Sequence, residues 1–102
     1  MSKNIRWTQE AEESFAHIIC HLEEKWSENQ VKKFIKIVNN ALKQIAEFPY
    51  MYEASVYNPK VRKGFIAKQC SLFYEINEDT IVLLFFWDNR RKPIRNFQKQ
   101  NK

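Results

Sequence analysis

The sequence predicts an α+β protein in which an N-terminal strand and an antiparallel helical hairpin pack on a sheet, in the order β-α-α-β-β-β. Three observations carry that expectation. Two segments of the first half repeat apolar residues at the 3-4 spacing of a helix face. Three strand-length apolar segments fill the second half. The helices also come together rather than alternating with strands, which is the pattern of a segregated α+β fold.

Each element follows from its residues. Asn4 to Trp7 reads as a short strand, and Thr8 can cap the helix after it. Glu10, Glu12 and Glu13 occupy the first helical turn, where the helix dipole favours carboxylates. Phe15, Ile18, Ile19, Leu22 and Trp26 form the apolar stripe, and the helix should stop near Lys25. Ser27 with Gln30 three positions later is a capping-box signature for a second helix. Val31, Phe34, Ile35, Val38, Leu42 and Ile45 are its stripe, and Pro49 ends it. So short a connection makes the two helices antiparallel neighbours, and their stripes are broad enough to cover a sheet as well.

Residues Pro49 to Lys60 carry two prolines and three tyrosines without helical period, and read as an ordered loop. Val61 to Ala67 reads as a strand containing Gly64, the only glycine of the chain, which marks a bulge or a close backbone approach. Cys70 to Ile76 is the next strand, and Asn77 to Thr80 a polar turn. Ile81 to Trp87 is apolar on both faces and is expected in the middle of the sheet. Phe34, Leu42, Leu72, Ile81 and Leu83 are expected to be buried. Residues 1–97 should form one domain, with 98–102 a polar tail.

Composition narrows the functional classes. With 44% apolar residues the chain can bury a core, so disorder is not expected. No apolar run approaches the roughly 20 residues of a membrane span, and no signal segment follows Met1, so a cytoplasmic location without membrane contact is expected. Cys20 and Cys70 are too few for a disulfide framework and read as small, mostly buried hydrophobes. His17, Cys20 and His21 have a spacing that could present metal ligands, but Glu13 and Glu24 mark that flank as solvated. No metal and no cofactor are expected, and one glycine cannot build a phosphate-binding loop.

Charge is the stronger signal. Residues 1–48 hold seven basic and seven acidic residues, whereas 49–102 hold ten basic and five acidic. The whole net charge of +5 therefore lies in the second half, which suggests an acidic or polyanionic partner. Arg62, Lys63, Lys68, Arg90, Arg91, Lys92 and Arg95, interleaved with aromatics such as Trp87, are expected to meet at one end or edge of the sheet. Such a surface suits RNA or an acidic amphipathic peptide.

The element order and these residues resemble the RelE/ParE superfamily of bacterial type II toxin–antitoxin toxins. The resemblance spans Ile5 to Pro93. It includes Ile5-Arg6-Trp7, Ala11, Trp26, Phe34, Leu42, Phe48-Pro49, Val61-Arg62-Lys63 and Leu72-Phe73-Tyr74-Glu75-Ile76. It ends in Ile81 through Phe86 running into Asp88-Asn89-Arg90-Arg91-Lys92-Pro93. The resemblance implies a helical hairpin on a curved, mainly antiparallel sheet, and a cognate antitoxin that folds on binding along an apolar groove.

It also implies one of two activities. RelE-like members cut messenger RNA in the ribosome, and ParE-like members inhibit DNA gyrase. RNA cleavage needs a base, a cation and an acid. Arg62 and Arg91 match two catalytic positions of the RNase members. The middle-strand arginine position is Ser71, however, and the C-terminal aromatic is Phe97, which has no proton to give. Glu75 is expected to face solvent. The resemblance therefore favours a growth-inhibiting gyrase toxin of plasmid-stabilisation type. A ribosome-dependent endoribonuclease and a non-toxic antitoxin-binding domain are the alternatives. Arg62, Lys63, Lys68, Trp87, Arg90, Arg91, Lys92 and Arg95 are the expected target or antitoxin contacts.

Overall fold

The computed structural model describes residues 2–90. Strand β1 (Asn4–Trp7) leads into α1 (Gln9–Glu23) and α2 (Glu28–Glu47), followed by β2 (Glu53–Ala54), β3 (Val61–Ala67), β4 (Cys70–Ile76) and β5 (Thr80–Asp88). Both helix starts use the expected caps. The Thr8 hydroxyl accepts from the Ala11 amide at 3.0 Å, and Ser27 and Gln30 form a reciprocal capping box.

The order differs from expectation by one element, because β2 lies within the stretch read as a loop. Two residues are too few to show alternation. Their pairing is supplied by β3, with Glu53 opposite Lys63 and Ala54 opposite Arg62.

The five strands run β1-β5-β4-β3-β2, with β1 parallel to β5 and the other pairs antiparallel. β5 is an interior strand as expected, but β4 takes the central place, because β1 claims the far edge of β5. Along β4, Cys70, Leu72, Tyr74 and Ile76 join the core shared with the helices. By alternation Ser71, Phe73 and Glu75 point to the other face. Glu75 is half-buried there rather than fully solvated.

Strict alternation fails once in β5. Tyr74 pairs with Leu83 and Phe73 with Phe85, so Leu84 is an extra residue. The bulge lets both Leu83 and Phe86 enter the core, at 0% and 3% exposure. Helix α1 seals it. Thr8 Oγ1 donates to the Leu83 carbonyl at 2.7 Å, and the Phe86 amide donates to Ser14 Oγ at 2.8 Å. Backbone groups that a bulge leaves unpaired are thus satisfied from the helix.

Aromatic contacts carry the core from sheet to hairpin. Trp7 stacks on Phe86 at 5.4 Å, Phe86 lies 4.9 Å from Phe15, and Phe15 and Trp26 each lie 6.2 Å from Phe34. All five residues expected in the core are buried, Phe34 at 2%. No helix among the described residues is long and apolar enough to cross a membrane. Phe34→Ala is expected to cost about 3–5 kcal/mol by urea denaturation, the range for removing a buried ring; a change within 0.5 kcal/mol, about the effect of a surface substitution, would show the helix face misassigned.

Candidate binding surface

Among the described residues, the basic side chains of the second half do not meet at one place. Arg62 pairs with Tyr74 and Lys63 with Phe73, so these neighbours point to opposite faces of the sheet. Lys63 Nζ lies 5.9 Å from the centre of the Phe73 ring, which stacks on Phe85 at 4.6 Å. Lys68 is in the β3–β4 turn, at the other end of β3. There Asn89 at the end of β5 bonds the Gln69 carbonyl through its amide at 2.9 Å. Its side chain reaches the Ala67 carbonyl at 3.3 Å. Lys68 and Arg90 therefore share one end of the sheet, away from Arg62. For the described cations the expected single basic edge is corrected to separate groups, because period-two alternation and strand length act on each independently.

At that far end Arg90 is held by its own strand. Its Nε and Nη2 donate to the Asp88 carboxylate at 3.0 and 2.7 Å, and its amide caps Asp88 Oδ1 at 2.9 Å. These bonds hold the guanidinium protonated more firmly than usual. Asp88 is 7% exposed, so the fork also neutralises a buried carboxylate. Ser71, 1% exposed, donates to Asn89 Oδ1 at 2.9 Å and serves the same strand junction. Trp87 pairs in register with Ser71 and is half-buried. Arg91, Lys92, Arg95 and Phe97 lie outside the described residues.

Arg62 has different surroundings. Its guanidinium carbon lies 5.0 Å from the centre of the Tyr50 ring, and Nη1 donates to the Tyr52 carbonyl at 2.9 Å. Nε is buried with no acceptor. Beside it Tyr74, 0% exposed, donates its hydroxyl to the Pro49 carbonyl at 2.8 Å. Burial raises the Tyr74 phenol to about 12, against a smaller lowering by Arg62. Gly64 completes the arrangement. A Cβ there would come within 2.8 Å of the Tyr52 ring, so the lone glycine marks a close approach, as its place in the strand predicts.

The cysteines divide. Cys70 is buried, but Cys20 is exposed, which corrects its expected burial: it lies on the solvent side of α1, between the stripe residues Ile19 and Leu22. His17 and His21 are edge to face at 4.8 Å, and among the described residues no group of three metal-ligating side chains gathers.

Comparison with known proteins decides the family. The model for the ParE toxin of the type II toxin–antitoxin system, parDE, matches residues 5–93. The chain belongs to the ParE toxin family.

Solved structures share this ParE-family fold at low sequence identity. A chain of the chromosomal ParDE toxin–antitoxin system from P. aeruginosa is 15% identical with a TM-score of 0.71, covering 85% of this chain and 96% of that one. A copper-bound mutant toxin from Helicobacter pylori is 14% identical with a TM-score of 0.59, covering 86% and 96%. A conserved hypothetical protein from Helicobacter pylori, solved in solution, is 13% identical with a TM-score of 0.57, covering 87% and 97%. No curated protein sequence matches the chain.

Sequence reading of this ParE-family chain picked out Arg62 but missed the tyrosines that hold it. The available signals were the tyrosine content of the loop and the single glycine.

Burial also gives the domain an alkaline limit. The Cys70 thiol is raised from 9.0 to about 12, by burial first and by Asp88 second. Unfolding frees this proton, so stability falls as pH rises above about 9, the thiol's ordinary value. The urea midpoint should drop from pH 9 upward, and Cys70→Ala, although less stable at pH 7, should lose less over that interval. Equal slopes would show that Cys70 does not contribute.

Proposed function

We propose that the protein is the toxin of a type II toxin–antitoxin pair, held silent by a cognate antitoxin, and that it inhibits DNA gyrase in the cytoplasm. The family match across residues 5–93 carries the toxin reading. The arrangement of Arg62 favours binding over RNA cleavage. Arg62 and Ser71 point to opposite faces of the sheet, so these two positions cannot serve one phosphate. Of the phenols around Arg62, Tyr74 is buried and already donates to Pro49, which leaves it poorly placed to protonate a leaving oxygen, while the exposed Tyr50 packs on the guanidinium through its ring.

Purified protein is expected to inhibit gyrase supercoiling and raise the level of cleaved gyrase–DNA complexes, with no cuts in translated RNA. Unchanged gyrase together with codon-dependent cuts that disappear in Arg62→Ala would select the ribosome-dependent endoribonuclease instead.

A further inference from the structure

Most of the exposed large apolar side chains among the described residues belong to one loop. Phe48, Tyr50, Met51, Val56 and Tyr57 are 62%, 66%, 46%, 81% and 69% exposed, whereas only Ile37 and Phe65 are comparable elsewhere. Such a concentration is unusual for a surface with no partner.

The loop is anchored rather than loose. The Tyr52 ring packs on Gly64, the Tyr74 hydroxyl holds the Pro49 carbonyl, and Arg62 holds the Tyr52 carbonyl. Met51 donates to Phe48 at 3.1 Å and Ser55 to Val61 at 2.7 Å. Apolar side chains displayed on a fixed backbone lose less entropy when they are covered, which is the property of a preorganised docking surface.

Arg62 supplies the second observation. Among the described residues its guanidinium meets no carboxylate, unlike Lys32, which pairs with Glu28, and Arg90, which pairs with Asp88. A half-buried cation that bonds one neutral carbonyl and keeps a buried Nε unbonded is poorly compensated. A carboxylate arriving over the loop would compensate the charge at the part of the guanidinium that remains accessible. A nucleic acid fits less well. Among the described cations of the second half only Lys60 stands near Arg62, since Lys63 is on the opposite face and Lys68 and Arg90 are at the far end. Two such charges make a poor track for a phosphate backbone.

We propose that the Phe48–Tyr57 loop and Arg62 form the docking surface for an acidic, aliphatic segment of the antitoxin, one of whose carboxylates pairs with Arg62. This rests on the toxin–antitoxin reading above. The probe is the polypeptide encoded by the reading frame adjacent to this chain's gene, measured by calorimetry against the full chain. Arg62→Gln should weaken binding roughly 10- to 100-fold, the weight of a charge-assisted bond. The exposed changes Val56→Ser and Tyr57→Ser should each weaken it severalfold with unchanged melting temperature, and Lys32→Gln should leave it unchanged. Wild-type binding that none of the Arg62, Val56 and Tyr57 variants weakens would overturn the surface while leaving the toxin–antitoxin reading intact. No binding to wild type would overturn both. Binding of a single-stranded RNA 12-mer that Arg62→Gln and Tyr57→Ser abolish, with that polypeptide's binding unaffected, would reassign the surface to nucleic acid.

Discussion

The seam between α1 and β5 is the constraint on which the rest of the molecule depends. β5 is flanked by β1 and β4, and one extra residue, Leu84, breaks its alternation. Without that bulge, Leu83 and Phe86 would face opposite sides of the sheet. With it, both enter the core, and the carbonyl and amide released by the break bond Thr8 and Ser14. The helix that covers the sheet also satisfies the backbone of its bulged strand. Trp7, Phe15 and Phe34 then extend the packing from β1 to α2. A misplaced bulge would therefore cost hydrogen bonds and core together, which pins the register.

From that frame the second anchor follows. β3 presents Arg62 and Gly64 to the helix side, and the segment leaving α2 folds back over them. Tyr52 occupies the space that Gly64 leaves, and Tyr74 reaches up from β4 to Pro49. The sheet thus fixes a loop whose outward side chains are apolar. Meanwhile Lys63 covers Phe73 on the opposite face, and Arg90 neutralises Asp88 at the far end. Three of the cations that resemble one basic patch in sequence do different things: Arg62 stacks on tyrosine, Lys63 lies over phenylalanine, and Arg90 forks a carboxylate.

Much of the fold was legible because local chemistry and burial agreed. Thr8, the Ser27–Gln30 box and the stripe through Phe34 and Leu42 each signal what they build. Gly64 also signalled its role, although not that Tyr52 would fill the space. Other features lie beyond periodicity. β2 is two residues long, and the Leu84 bulge is visible only once β4 and β5 are paired. Charge along the chain does not say which face a cation takes: Arg62 and Lys63 are neighbours in sequence, yet alternation sends them to opposite faces. The order of the loop after α2 is legible from its prolines and tyrosines, but its apolar display is not, because exposure rather than residue type is what makes Phe48 or Val56 informative.

The central claim is that the loop after α2 is a fixed platform rather than a flexible linker, and amide hydrogen exchange of the free protein tests it most directly. The Met51 and Ser55 amides, bonded to Phe48 and Val61, should exchange well below the rate of an unstructured peptide. Substituting Tyr74→Phe should loosen the segment near Pro49 before it affects β4. Exchange at the unstructured rate throughout residues 48–57 would contradict the account.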